Sequence, residues 1–286
     1  MLHNKLLLPP ADVCRVVEAP QCGAFFTAAI WGRPINWSID QLGGDGNPVF
    51  AEQVGCVLAL LGARRGFATG TIKRNARILE PAALSRKINV GHQVLFCNPN
   101  EPADGVYLQQ GDAGLTSTSG CPIFFAARRG YVPVYAHAGR DCLINRSRID
   151  PRDPAPLRDH ANESVCFSVL QALEVSSWKD AAEVYVWVYW GAHPHQQRYS
   201  FGHPEYGAFN RRMYTYIVGR WGHACASLSP EGFSLNLTRL IRAQFLERGV
   251  LYSHIDTKDG YLDEQTMWSD CSATASRNLI AIVCNS

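Results

Sequence analysis

The chain has no apolar run long enough to cross a bilayer as a helix; about 20 residues would be needed, and every candidate is broken sooner by polar residues. It has no block of like charges either. Its 27 Lys and Arg against 25 Asp and Glu leave a formal charge of +2, with the basic residues scattered, so neither nucleic acid nor an anionic membrane is expected as a partner. There is no CxxC pair and no regular spacing among the cysteines at 14, 22, 56, 97, 121, 142, 166, 225, 271 and 284. Most therefore read as reduced, buried small hydrophobes, as suits a reducing compartment. Lys5 and Leu6-Leu7-Leu8 begin a run that Pro9, Pro10 and Asp12 stop short of a secretory signal, so no cleavable signal peptide is expected. Internal repeats and low-complexity segments are absent.

What is present is 286 residues with 47% apolar content, enough for one large core, and one domain over 1–286 is expected. The first fifty residues carry Pro9, Pro10, Pro20, Pro34 and a Gly43 to Pro48 cluster, and read as short extended pieces and loops wrapping the body. Val54 to Leu61 fits a buried strand or a short helix. His92 to Cys97, Glu183 to Trp190, Met213 to Val218 and Asn278 to Cys284 read as strands. Asp150 to Pro156 reads as a proline-rich loop. Asn162 would cap a helix carrying Val165, Val169, Leu170 and Leu173, and Leu235 to Glu247 predicts a second helix ending at Gly249. Mixed strands with two amphipathic helices imply an α+β fold, a mixed β-sheet sandwich with helices outside.

The chemistry concentrates between Thr116 and Gly139, two strands around a tight turn with Cys121 opening the first and His137 closing the second. An antiparallel hairpin makes its open ends neighbours, so thiol and imidazole come within reach. A thiol beside an imidazole can pass on its proton and act as a nucleophile. Ser119-Gly120-Cys121, the turn Ala127-Arg128-Arg129-Gly130-Tyr131 and Tyr135-Ala136-His137-Ala138-Gly139 resemble the catalytic domain of the cytotoxic necrotizing factors. The Burkholderia lethal factor and the chemoreceptor glutamine deamidases are similar around the same pair. The match spans about residues 116 to 140, with a similar Val/Leu-rich helix after it.

That resemblance implies a protein glutamine deamidase, a bacterial toxin or effector secreted without a cleavable signal peptide and acting in a host cytosol. Its partner would be a host protein, a Rho-family GTPase first and a translation-initiation helicase second, met by a monomer with no cofactor and no metal. Cys121 would attack the glutamine carbonyl, His137 would protonate the departing ammonia, and water would release the thioester; an amine in its place would give transglutamination. Gly120 and the Cys121 amide would supply the oxyanion donors. The group that orients the histidine is a threonine six residues before the cysteine in the lethal factor and the chemoreceptor deamidases, a position that is Leu115 here, leaving Thr116 or Thr118 as substitutes. In the necrotizing factors an upstream backbone carbonyl serves, which would fall in Ile72 to Arg77.

Two alternatives stand beside this reading. His137-Ala138-Gly139 is also similar to the YfiH or laccase-domain family, which has the same fold and implies a metal-dependent nucleoside site. Here Ser119-Gly120 replaces that family's Ala-Asp, and its upstream Gln-Val-His-Gly, source of another metal ligand, has no counterpart, His92 standing in Val90-Gly91-His92-Gln93. The other is a non-catalytic module that binds a host protein through aromatic-rich loops. His193-Pro194-His195 with His203 has imidazoles spaced for a metal, but its glycine and proline context favours a surface loop lining the cleft. Tyr185, Trp187, Tyr189 and Trp190 read chiefly as core.

Overall fold

Two β-sheets lie face to face in the computed structural model, with helices against both outer faces. The structure describes residues 10–33, 35–38, 47–68, 76–84, 86–97, 103–149, 163–263, 267 and 276–285. The strands in chain order are β1 (Val13–Ala19), β2 (Ala24–Trp31), β3 (Arg65–Ala68), β4 (Ile78–Leu79), β5 (Arg86–Val90), β6 (Gln93–Cys97), β7 (Gly105–Tyr107) and β8 (Asp112–Thr118). After them come β9 (Ile123–Arg128), β10 (Val134–His137), β11 (Val184–Tyr189), β12 (Arg198–Ser200), β13 (Ala226–Ser229), β14 (Gly232–Leu235), β15 (Ile255–Asp256) and β16 (Asn278–Cys284). The helices are α1 (Pro48–Leu60), α2 (Arg140–Leu143), α3 (Arg146–Ile149), α4 (Val165–Ala172), α5 (Trp178–Ala181), α6 (Gly207–Trp221) and α7 (Leu237–Glu247).

One sheet has the order β1-β2-β16-β8-β3-β6-β5, the other β15-β11-β9-β10-β7-β4, and a small third sheet has β12-β14-β13. Both large sheets mix parallel and antiparallel pairs, β3 with β8 being parallel and β16 with β8 antiparallel. The α+β sandwich expected from the sequence is the fold.

Strand alternation distributes the apolar side chains over three cores. Along β9, Phe124 and Ala126 face α4, α6 and α7, while Ile123, Phe125 and Ala127 face the opposite sheet. Along β16, Ile280 and Ile282 face inward and Leu279, Ala281 and Val283 meet α1. Strands buried on both faces need continuous apolar runs, which is what these two carry. Between the sheets Phe26 lies 4.2 Å from Phe125 and 5.0 Å, edge-on, from Trp187, measured between ring centroids. Each such ring stabilises the fold by roughly 2 to 3 kcal/mol through its burial.

Two local expectations change, and one left open between strand and helix is settled. Met213 to Val218 belongs to α6, because Phe209, Met213 and Ile217 recur one helical turn apart on its buried side. Val54 to Leu61 lies largely within α1, started by Asn47, whose side chain accepts from the Val49 and Phe50 amides ahead of Pro48 in the first turn. The first fifty residues do more than wrap the body, since β2 pairs with both β1 and β16 inside the larger sheet. Asp150 to Pro156 and Asn162 lie outside the described residues, and α4 begins after Ser164. No helix among the described residues is long and apolar enough to cross a membrane.

Candidate functional site

The β9–β10 hairpin sets the site. His137 pairs with Ile123 in antiparallel register, and the Ala138 amide donates to the Pro122 carbonyl at 2.8 Å. This carries the ladder one step past the strand ends, and the same register sets Cys121 against Gly139, two residues beyond His137, so that thiol and imidazole meet diagonally on one face. The two side chains share a hydrogen bond. Gly139 makes the approach feasible, because a β-carbon there would stand 3.1 Å from Cys121 Sγ and 3.1 Å from His137 Cε1. Cys121 is half-buried and His137 is 4% exposed, so the thiol is the open member of the pair.

Behind the imidazole stands a carboxylate. Asp104, 1% exposed, places Oδ1 3.4 Å from His137 Nδ1 and takes a hydrogen bond from the Cys142 thiol at 3.0 Å. Its other oxygen accepts from the Ala76 amide at 2.6 Å. Asp104 reaches this place because β7 pairs with β10, Gly105 against Ala136, and because the His137 amide donates to the Asp104 carbonyl at 2.7 Å. Burial opposes a charged imidazole, but hydrogen bonds and charge attraction from Asp104 and Cys121 outweigh it and raise the His137 pKa to about 9. With Nδ1 turned to Asp104, Nε2 is the nitrogen left to exchange protons with Cys121.

The residues assigned to orientation and oxyanion binding are placed elsewhere. Thr116 Oγ1 is taken by the Tyr135 hydroxyl. Thr118 Oγ1 accepts from the Gly120 and Cys121 amides at 3.1 and 2.8 Å and donates to the Cys121 carbonyl at 2.8 Å. Thr118 therefore shapes the turn that presents Cys121, and neither threonine meets the histidine. The same bonds aim the Gly120 and Cys121 amides at Thr118, so they are not an open oxyanion pair. Gly120 takes φ +149°, a conformation that favours glycine. Of the Ile72 to Arg77 segment, Ile72 to Asn75 lie outside the described residues, while Ala76 helps hold Asp104.

The histidine-rich loop does border the site. The Ala192 amide donates to the Gly120 carbonyl at 2.8 Å, and Trp190 makes the bend with φ +52°. His193 stacks between His195 and Tyr261, with ring centroids 5.6 and 4.9 Å away. Arg128 in the hairpin turn is structural: its guanidinium bonds Asp180, Glu183 and the carbonyls of Leu173 and Glu174.

Among the described residues one group of three has the donors and proximity to hold a metal, Asp104, His137 and Cys142, with ligand atoms within 4.8 Å of one another. It excludes Cys121. The metal implied by a YfiH-like reading would need Cys121, His137 and a further histidine, yet His92 sits exposed in the β5–β6 turn. On the Nδ1 side, Cys142 Sγ lies 3.0 Å from Asp104 Oδ1. The residues do not fit that family's metal centre.

No protein-family model matches the chain, and no curated protein matches it. Solved structures do. YfiH of Bacillus licheniformis, described as a hypothetical protein, is 11% identical with TM-score 0.52, the match covering 91% of this chain and 92% of that one. YlmD of Geobacillus stearothermophilus is 14% identical with TM-score 0.52, over 94% of each chain. A Neisseria meningitidis protein of the DUF152 family model is 12% identical with TM-score 0.55, over 96% of this chain and 99% of that one. The fold is thus YfiH-like over nearly its full length. These matches overturn the expectation of a glutamine-deamidating toxin or effector with a Rho-family or helicase substrate. The physical reason is the reach of the motif: a cysteine, a hairpin and a histidine over about 25 residues are common to both kinds of protein, and the rest of the chain follows the YfiH-like proteins.

Proposed function

We propose that the protein is an enzyme acting on a nucleoside, with His137 as the proton carrier, Cys121 as its partner on the open side and Asp104 as the positioning carboxylate. The observation that carries this reading is the Asp104–His137–Cys121 alignment at the end of the β9–β10 hairpin, set in a YfiH-like fold. The substrate class rests on that fold-level analogy. The chemistry rests on the site itself. An imidazole that keeps its proton at neutral pH is suited to protonating a departing nitrogen, and nucleosides offer two: the exocyclic amine of the base and the ring nitrogen of the glycosidic bond. Asp104 holds the imidazolium in one orientation; water forms the new bond to carbon as the carbon–nitrogen bond breaks, the leaving nitrogen takes the Nε2 proton, and the proton that water loses returns to Nε2 beside Cys121. No metal-dependent step is needed for this assignment of roles.

The test is incubation of the protein with adenosine, guanosine and inosine, with and without inorganic phosphate, followed by chromatography of the products. Free base, or a nucleoside that has lost its amine, formed by the wild type and lost in Cys121→Ala and His137→Gln, is the expected result. Unchanged nucleosides throughout would sink the reading.

A further inference from the structure

The turn that carries Cys121 is held from outside by a loop that has no part in the proton chemistry. The Ala192 amide donates to the Gly120 carbonyl at 2.8 Å, and Gly191 packs so closely that a β-carbon there would stand 3.1 Å from Cβ of Pro122. The loop therefore touches both sequence neighbours of Cys121. Trp190 leads into it at φ +52°, a left-handed conformation that is unfavourable for a bulky residue and that gathers where a site needs a fixed direction. One hydrogen bond and one peptide step bring the Cα atoms of His193 and Cys121 within about 11 Å of each other.

At that place the loop builds a column of rings. His193 lies on Tyr261 with 13° between the planes and 4.9 Å between centroids, and His195 lies on His193 at 21° and 5.6 Å. The inner end is fixed. The Tyr261 hydroxyl donates to Asn236 Oδ1 at 3.1 Å and accepts from its Nδ2 at 2.9 Å, and the same Asn236 caps α7 by accepting from the Arg239 amide at 3.0 Å. The outer end is open: His195 is exposed, whereas His193 and Tyr261 are half-buried. Beside it, Gln196 has a carboxamide oxygen shielded from solvent and without a hydrogen-bond partner. Rings already in register at one end are preorganised, so a further planar ring adds to the column at small entropic cost.

We propose that His195 stacks the base of the nucleoside, so that the His195–His193–Tyr261 column is the substrate-recognition element of the site; this rests on the nucleoside reading above. Stacking tolerates any base, because every base has a π-face, and it gives nothing to a sugar alone. The orphan oxygen of Gln196 adds an acceptor for an N–H on the base edge. Few polar groups beside an aromatic surface are what a heterocycle site requires.

Titration calorimetry on the full chain carrying Cys121→Ala, which removes turnover, tests it with adenosine, inosine and ribose as probes. Both nucleosides are expected to saturate one site, with ribose weaker by about tenfold or more. Adding His195→Ala should weaken nucleoside binding about tenfold, and His195→Phe, which keeps a ring, should restore it. His195 is exposed, so neither change disturbs the core. With Cys121 intact, His195→Ala should raise KM about tenfold while kcat stays within about twofold. Turnover that Cys121→Ala abolishes, with the same KM in the wild type and His195→Ala, would overturn the proposal and leave the enzymatic reading standing. Saturable nucleoside binding that His195→Ala weakens, without turnover by the wild type, would support the base site and overturn the enzymatic reading alone. Ribose binding as tight as adenosine, or no saturable binding by either nucleoside, would overturn the proposal.

Discussion

His137 Nδ1 lies 3.4 Å from Oδ1 of Asp104, a carboxylate 33 positions earlier in the chain, and both side chains are buried. A buried imidazole alone would shed its proton. The carboxylate reverses that tendency and also selects which ring nitrogen faces Cys121. Proton storage and orientation therefore depend on the same contact.

Replacing Asp104 with Asn keeps the shape and removes the charge. The His137 titration, followed by NMR of labelled imidazole, is expected to fall from about 9 toward or below its ordinary value of 6.5. Removing one partner of a buried pair also costs roughly 3 kcal/mol, readable by urea unfolding at neutral pH. An unmoved titration would show that Asp104 does not govern the histidine.

The same raised pKa makes stability depend on pH. The folded state holds the His137 proton more tightly than the unfolded chain does, so its stabilising contribution is complete below about pH 6.5 and is lost as pH rises through about 9. Urea midpoints should decline across that window in the wild type, and less steeply in His137→Gln. Parallel profiles in the two proteins would assign the decline to other groups.

The hairpin was legible in the sequence because it is local: the turn at Arg129-Gly130 fixes which residues of β9 and β10 face each other. Asp104 was not. Its meeting with His137 needs β7 to pair with β10 while the intervening β8 joins the other sheet, and periodicity carries no trace of that exchange. Helix α1, open between strand and helix in the sequence, and α6, which reads there as a strand, differ in kind. For α1 the signal was present, since Asn47-Pro48 is a cap followed by a first-turn proline, but it lay inside a glycine-rich cluster that also reads as a turn. For α6 the local preference points the wrong way: Tyr214, Thr215, Tyr216, Ile217 and Val218 all favour strands, and burial of Phe209, Met213 and Ile217 along one side overrides them.

Gly139 tests how tightly the pair is set. A methyl group there meets Cys121 Sγ and His137 Cε1 at once, each 3.1 Å from the added carbon, so Gly139→Ala must push thiol and imidazole apart. A displacement of a few tenths of an ångström is expected to lower turnover by about threefold to tenfold, with the unfolding midpoint little changed. Full activity in this variant would mean that the contact is not used in catalysis.

Elemental analysis tests the three-residue group on the Nδ1 side. Purified protein is expected to carry well below one zinc per chain, because the three grouped side chains are all buried and Cys121, the open thiol, stands outside the group. Cys142→Ala should leave nucleoside turnover measurable. Stoichiometric zinc lost in Cys142→Ala would instead show that the three buried groups take an ion.

Thr118 controls the turn that presents Cys121. Its single hydroxyl oxygen serves two amides and one carbonyl, so Thr118→Val keeps the volume while leaving the Gly120 and Cys121 amides without their acceptor. Each amide left unsatisfied costs about 1 to 3 kcal/mol unless the turn opens to water. The turn is only half-covered at Ser119 and Cys121, so opening is the easier response. The expected result is a modest loss of global stability with a large loss of turnover, because an opened turn no longer holds Sγ against His137. Thr118→Ser keeps the oxygen and should restore turnover to near the wild-type value. If Val and Ser variants lose activity equally, the methyl group is what matters and the hydroxyl network is incidental.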